Sequence, residues 1–407
     1  MFAYLLLAVA LAETCVKYPM VLIPGILSSI LEGAVNIPKD STLDIDSDCK
    51  KTFGKKRLWV ALKEINPFVN DCYIGYLVNT YNADTNTQTD MEGVTITVPD
   101  FGSTYALDSI DPNWPISLAT KAFHDLIKKF EKDLGYTDGV DMLGAPYDWR
   151  YFRFDEYSHK ENWYENTKNL IKKAYETNGN KQVVLISHSM GGLMTYKLLD
   201  YMGEEFTKKY VKRWVAMSGP FLGAAKTIAA AFPGNNLDLP ISAAKLRPVC
   251  RRAETISFLF PTGGNANWGE TPLMTIKSTG KVYTVDDMLE LLGTLDDDFK
   301  KQHSYVYENG INGLYKKYNN KMPFGIETQC LISSQYETIL GVTMDTPDYD
   351  TGKATLTYGD GDGTVNIQSL EYCAKLGGIV QNVGKYDHTG MLDDKASYSY
   401  LKNFICN

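Results

Sequence analysis

In the stretch Val183-Val-Leu-Ile-Ser-His-Ser-Met-Gly-Gly192, Ser189 sits between an apolar run and a helical pattern. A serine hydroxyl is a poor nucleophile at neutral pH. It needs a base within hydrogen-bond reach, and that base needs a third group to orient it. A sharp strand-to-helix turn presents such a serine above a sheet edge, and the helix amino end offers a backbone N–H to a developing oxyanion. The turn is tight, so the residues two before and two after the serine must be small. Here they are Ser187 and Gly191. Ser187 stands where such turns ordinarily carry glycine, and it is still small. The flanking patterns favour a nucleophile over the plainer reading, a serine that caps a helix.

On this turn type the acid and then the histidine follow the serine in the chain. The five histidines are His124, His159, His188, His303 and His388. Two precede Ser189, and His188 lies inside the turn. His303 stands beside Lys300, Lys301 and Gln302 in an irregular stretch and is expected to be solvated. His388 follows a strand pattern and precedes the last helix, so it is the expected base. Tyr358-Gly-Asp-Gly-Asp-Gly-Thr-Val-Asn366 offers Asp360 and Asp362 as the acid. Asp362 is preferred, because Gly361 and Gly363 free its backbone and Thr364-Val365 anchor the return. A calcium loop is the alternative, but the closing Glu and further oxygen ligands are absent. Asp387, next to His388 in sequence, is badly placed to reach its ring. The loop Pro24-Gly25-Ile26-Leu27 follows an early apolar run and suits a second oxyanion donor, which makes the N–H groups of Ile26 and Met190 the expected pair.

These residues need a sheet to hold them. Met20–Ile23, Val183–Ile186, Trp214–Met217, a segment near Cys330 and Ile379–Val383 read as strands. Val94–Val98 alternates and reads as another. Ala122 to Leu134, Asn162 to Glu176, Met190 to Met202 and Lys395 to Ile405 carry helical spacing. Leu58, Trp59, Leu62 and Ile65 also have helical spacing, stopped by Pro67. Helices alternating with strands predict an α/β fold with a mostly parallel sheet. From about 221 to 329 the pattern loosens, which suggests an insertion over the sheet's carboxyl edge. Asp148 and Arg150 sit at an expected strand end, either as a buried pair or as substrate contacts.

Composition narrows the partners. A net charge of -8 disfavours nucleic acid, whose phosphates need a basic face. No spacing suggests a metal site, and no cofactor is expected. Residues 1–12 form an apolar run ending Ala10-Leu11-Ala12, the pattern of a secretory signal peptide. The expected compartment is then the secretory pathway, with the mature chain secreted or delivered to a lysosomal or vacuolar lumen. In that oxidising route the seven cysteines are disulfide candidates, and their odd number leaves at least one free or paired between chains.

Taken together the motifs resemble the lecithin:cholesterol acyltransferase family, and within it the lysosomal phospholipase A2 branch. The resemblance runs from about Pro19 to Ile405. It rests on Val21-Leu-Ile-Pro-Gly25, Pro99-Asp-Phe-Gly-Ser-Thr-Tyr105, Gly144-Ala-Pro-Tyr-Asp-Trp-Arg150, His188-Ser-Met-Gly191, Gly359–Asn366 and His388. It implies an α/β-hydrolase spanning 13–407, with a membrane-binding insertion at about 38–80 and a cap or lid at about 221–329. It implies a triad of Ser189, Asp362 and His388, and disulfides Cys49–Cys72 and Cys330–Cys373. For Cys15, Cys250 and Cys406 the pairing stays open, a Cys15–Cys406 bridge being one possibility. It implies transfer of an acyl chain from a glycerophospholipid, at a membrane or lipoprotein surface, to water or a lipid alcohol such as a sterol or ceramide. Trp59, Leu62, Ile65 and Phe68 are candidate lipid contacts, with packing on the core as the other reading. Ile26 departs from the acidic residue of the lysosomal branch. Two other functions fit parts of the pattern: a neutral-lipid or ester hydrolase on the same fold, and an inactive hydrolase serving as a binding module.

Overall fold

Met20, Val21, Leu22 and Ile23 are all fully buried, as a strand covered on both faces requires. The computed structural model, which describes residues 15–41, 43, 47–60, 72–109, 122–239 and 241–406, places them as strand β1 (Met20–Ile23). β1 belongs to a six-stranded sheet with β7 (Met142–Gly144), β8 (Val183–His188), β9 (Val211–Met217), β12 (Thr328–Ile332) and β15 (Ile379–Asn382). The order is β15-β12-β9-β8-β1-β7, and every pairing is parallel. The short strand β7 carries only three residues and ends at Gly144, before the strand end expected at Asp148 and Arg150.

Alternate residues of these strands feed two cores. Met20, Leu22, Val184, Ile186, Val215 and Met217 meet helix α1 (His124–Leu134) on one face. Val21, Ile23, Val183, Leu185, Trp214 and Ala216 meet helices α2 (Trp163–Thr177) and α3 (Gly191–Tyr210) on the other. The ends of these helices have local causes. Asn162 caps α2 by accepting hydrogen bonds from the N–H groups of Tyr164 and Glu165, which have no partner inside the helix. α1 stops at Gly135, which takes φ +65° and returns its N–H to the last turn.

The sequence reading and the structure part at Trp59. Leu58 and Trp59 do not open a helix: they close β3 (Thr52–Trp59), which pairs antiparallel with β2 (Leu31–Asn36). β6 (Val94–Thr97) covers the other edge of β2. Pairing with a strand distant in sequence overrides the helical spacing here. Trp59 is also not exposed to a membrane surface, though it lines the cavity beside Ser189. It is fully buried, packs edge-on against Trp149 at 5.0 Å, and donates its indole N–H to the Leu27 carbonyl at 2.7 Å. Leu62, Ile65 and Phe68, like the segment 1–12, lie outside the described residues.

A second sheet escaped the sequence reading. β4 (Thr80–Asn82) and β5 (Thr87–Thr89) form a small ribbon, but β10 (Met274–Ile276), β11 (Lys281–Tyr283), β13 (Thr338–Met344) and β14 (Ala354–Gly359) form a four-stranded sheet in the order β11-β10-β13-β14. β10 and β11, at three residues each, are too short to display an alternation. The rest of 221–329 is largely helical and includes α4 (Lys226–Ala231) and α5 (Asp297–Asn309). His303, expected in solvent, is fully buried inside α5. Its ring lies 4.1 Å from that of Phe299, and its Nε2 is 2.8 Å from the Arg251 carbonyl. Lys300 and Lys301 of the same helix are exposed, while Gln302 and His303 are turned into the core.

The termini are joined by a Cys15–Cys406 disulfide, whose second cysteine ends helix α6 (Lys395–Cys406). Cys49–Cys72 and Cys330–Cys373 are also bonded. Cys250 is free and buried, and burial pushes its thiol up to about 12.

Asp148 and Arg150 form a buried bidentate pair, with N···O distances of 2.8 and 2.6 Å. Asp90 meets the same guanidinium at 2.6 Å, and Lys160 bridges Asp90 and Asp148. Burial alone would raise the Asp148 carboxyl. Arg150 and Lys160 outweigh it and bring the group down from 3.8 to about 2. Removing one member leaves a buried charge uncompensated, so Asp148→Ala is expected to lose about 3–5 kcal/mol in denaturant unfolding at pH 7. A carboxylate with a depressed folded pKa stabilises above its unfolded value and loses that contribution as pH falls through the folded one. The deficit of the variant should therefore be the same at pH 7 and 5, and shrink between pH 3.8 and about 2.

Candidate active site

Ser187 and His188 end β8, and Ser189 turns the chain into α3. Ser189 has φ +55°, a left-handed conformation that an L-residue adopts only when its surroundings impose it. Its N–H is held by the Met217 carbonyl at 2.9 Å, across the end of β9. Ser187 fits because its hydroxyl is used: it accepts the indole N–H of Trp214 at 2.8 Å. The position after the turn has no such latitude. A Cβ on Gly191 would stand 2.4 Å from the Ile23 carbonyl oxygen.

The acid loop hangs from the second sheet. β14 delivers Asp360 and Asp362, and the two have separate tasks. Asp360 accepts from the N–H of Gln335 at 2.6 Å and from its neighbour Gly361 at 2.8 Å, which closes the loop. Asp362 is fully buried. Its Oδ1 accepts from the N–H groups of Thr364 and Val365, at 3.0 and 2.7 Å. Its Oδ2 is 2.7 Å from Nδ1 of His388. Burial alone would raise this carboxyl. The His388 ring and the two N–H donors outweigh it and hold the carboxyl below its ordinary range. Asn366 fastens the loop on both sides, donating to the Ile339 carbonyl and accepting from Ala225 N–H.

His388 sits in a turn after β15. Asp387 does not reach the ring: it accepts from the N–H groups of Thr389 and Gly390 and shapes the turn. Nε2 of His388 is buried and has no hydrogen-bond partner among the described residues. Ser189, Asp362 and His388 line one cavity of about 370 Å³. An imidazole whose Nδ1–H faces a carboxylate keeps Nε2 unprotonated, and so able to take a proton from a hydroxyl.

Ile26 and Leu27 line the same cavity. Their loop is fastened from two sides, by Trp59 on the Leu27 carbonyl and by the Tyr147 hydroxyl on the Pro24 carbonyl at 2.7 Å. Gly25 lies against the serine: a Cβ there would be 2.8 Å from Ser189 Cβ and 3.2 Å from its Oγ. Gly25→Ala must push the loop and the serine apart. The expected result is a loss of about 10²-fold or more in kcat/KM, the order seen for one lost oxyanion donor, with the melting temperature little changed.

Several residues at the site went unread in the sequence. Trp59 and Tyr147 support the Ile26 loop, and Thr338 accepts the N–H of Gly363 at 2.8 Å. Lys226 of α4 is buried, lines the cavity, and pairs with the exposed carboxylate of Asp238. A single lysine in the otherwise apolar stretch from Phe221 to Phe232 was its only signal. Among the described residues no group of three or more His, Cys, Asp or Glu side chains is placed to hold a metal ion.

Comparison with known proteins supplies what geometry cannot. Residues 53–323 match the family model described as lecithin:cholesterol acyltransferase. The chain is 29% identical over 397 residues to the lysosomal phospholipase A and acyltransferase of Homo sapiens, covering 95% of this chain and 90% of that protein. It is 28% identical over 361 residues to the phosphatidylcholine-sterol acyltransferase of Gallus gallus, covering 88% and 81%. Among solved structures, a chain of the Tle4–Tli4 complex superposes with a TM-score of 0.55 over 96% of this chain and 98% of its own, at 14% identity, a likeness of fold alone.

Proposed function

The chain belongs to the lecithin:cholesterol acyltransferase family, and on that premise we propose that it removes an acyl chain from a glycerophospholipid and passes it, through an acyl-Ser189 intermediate, to water or to a lipid alcohol. The observation that carries this reading is the 2.7 Å contact between Asp362 and His388 in the cavity that Ser189 lines.

The steps follow from the groups present. His388 Nε2 takes the proton as Ser189 Oγ attacks the ester carbonyl. The N–H groups of Ile26 and Met190 receive the negative oxygen; Met190 precedes the first turn of α3, where N–H groups lack helical acceptors. Collapse breaks the ester C–O bond, and His388 returns the proton to the departing lysophospholipid oxygen. An acceptor hydroxyl then gives its proton to His388 and attacks the acyl-serine; the acyl C–Oγ bond breaks, and His388 returns the proton to Ser189 Oγ. Asp362 stays ionised throughout and balances the charge on the ring.

The cavity suits a lipid ester. Ile26, Leu27, Leu237 and Leu239 give it apolar walls, and Lys226 gives it one cationic point at which a phosphate competes with Asp238. The likeness to a lysosomal phospholipase A and acyltransferase and the three disulfides support an oxidising lumen on the secretory route. The substrate is presented at a membrane or lipoprotein surface in this reading.

The test offers phosphatidylcholine vesicles carrying a labelled acyl chain, alone or with sterol or ceramide. Free fatty acid is expected in the first case, and acylated acceptor where an alcohol is accepted. Neither product from folded protein would overturn the reading.

A further inference from the structure

His188 was set aside in the sequence as part of the turn, yet it makes the link between the two halves of the site. It is the last residue of β8, immediately before Ser189, and is 3% exposed. Its Nε2 lies 2.9 Å from the main-chain carbonyl oxygen of His388. A carbonyl only accepts, so Nε2 carries the hydrogen and donates it. The two rings stand 4.8 Å apart, and Phe123 packs edge-on against the His188 ring at 6.3 Å. Burial also drives its pKa down, to about 3, so the ring stays neutral and keeps one donor.

The turn that carries His388 is closed internally by Asp387. Two hydrogen bonds then fix the residue to the rest of the protein. Asp362 orients its ring, and His188 holds its backbone. The second bond starts from the residue adjacent to the nucleophile, on a strand end whose register with β9 is set by the pairing of His188 with Met217.

We propose that His188 is a positioning residue for the acyl transfer: its Nε2–H bond to the His388 carbonyl sets the distance between base and nucleophile. This rests on the triad reading given above. A base displaced by about 1 Å costs roughly 10²-fold in rate, because proton transfer from Ser189 needs a near-attack geometry.

The test compares His188→Gln, His188→Asn and His188→Leu on phosphatidylcholine vesicles, with melting temperatures measured alongside. A Gln amide nitrogen falls near the imidazole Nε2 position, whereas Asn stops a methylene short and Leu has no donor. His188→Gln is expected to hold kcat within about threefold of wild type, while Asn and Leu lose roughly 10–100-fold in kcat at unchanged KM. If Leu fails to fold, Gln against Asn makes the same comparison between two amides. Equal kcat in Gln and Asn, or losses that follow the melting temperature, would overturn the proposal. Wild-type activity that vanishes in Ser189→Ala keeps the triad reading in place whatever the His188 variants do, so the two failures are distinguishable.

Discussion

Ser189→Ala is expected to lower kcat on phosphatidylcholine vesicles by about six orders of magnitude, with the melting temperature within a degree or two of wild type. In the proposed mechanism the replaced hydroxyl forms the acyl bond, so no neighbouring group substitutes for it. At 1.36 kcal/mol per decade the loss is roughly 8 kcal/mol of transition-state stabilisation. The remaining oxyanion donors and the cavity are untouched, so a residual rate of roughly 10³–10⁴-fold over water is expected. A fluorophosphonate probe should label wild type at Ser189 and leave the variant unlabelled. Alanine also relieves nothing in the backbone, since the left-handed turn is imposed by the strand end and by the Met217 carbonyl. Labelling of the variant at another serine would remove Ser189 from the mechanism.

Asp362→Asn is the next largest effect, and its direction follows from hydrogen-bond polarity. Oδ1 of Asp362 is fixed as an acceptor by the N–H groups of Thr364 and Val365. An asparagine there must keep its carbonyl oxygen on that side, which turns its NH₂ toward Nδ1 of His388. Nδ1 becomes the acceptor, Nε2 carries the proton, and the ring can no longer accept one from Ser189. The expected loss is about 10⁴-fold in kcat at pH 7, with geometry preserved. Asp360→Asn is the control. Asp360 closes the loop through main-chain N–H groups and faces neither His388 nor the cavity, so its variant should stay within about tenfold. Equal losses in the two variants would sink the assignment of Asp362 as the acid.

The halves of the site differ in how far they could be read from the chain. The segment Val183–Gly192 is local: an apolar run, small residues on either side of a serine, and a helical pattern occupy ten consecutive residues. Such a signal survives without knowledge of anything distant. His388 was reached by order and elimination among five histidines, and Asp362 by the freedom of its flanking glycines. What separates Asp362 from Asp360 physically is a set of hydrogen bonds to Gln335, Thr364, Val365 and His388, and no pattern in the sequence encodes them.

The misreadings share a cause. Trp59 had helical spacing with Leu62 and Ile65, but its strand is fixed by pairing with Leu31. His303 had charged neighbours in sequence, but its own face of α5 packs against Phe299 and Arg251. The strands β10 and β11 are three residues each; β10 is stabilised by β13, more than 60 residues further on, and β11 joins the sheet through β10. In each case a contact between distant segments outweighs a preference worth about 1 kcal/mol or less per residue.

By itself, then, the sequence determined the parallel sheet, the turn that raises Ser189 and the family. Those properties are written in periodicity and in short motifs, because strand and helix periods act over neighbouring residues. The tertiary structure alone decided that a second sheet carries Asp362, that Trp59 is buried where it braces the Ile26 loop, and that His188 ties His388 to the strand that ends at Ser189. Those properties come from groups that meet across tens to hundreds of residues, where the free energy of burial and of satisfied hydrogen bonds selects partners that local preference does not specify.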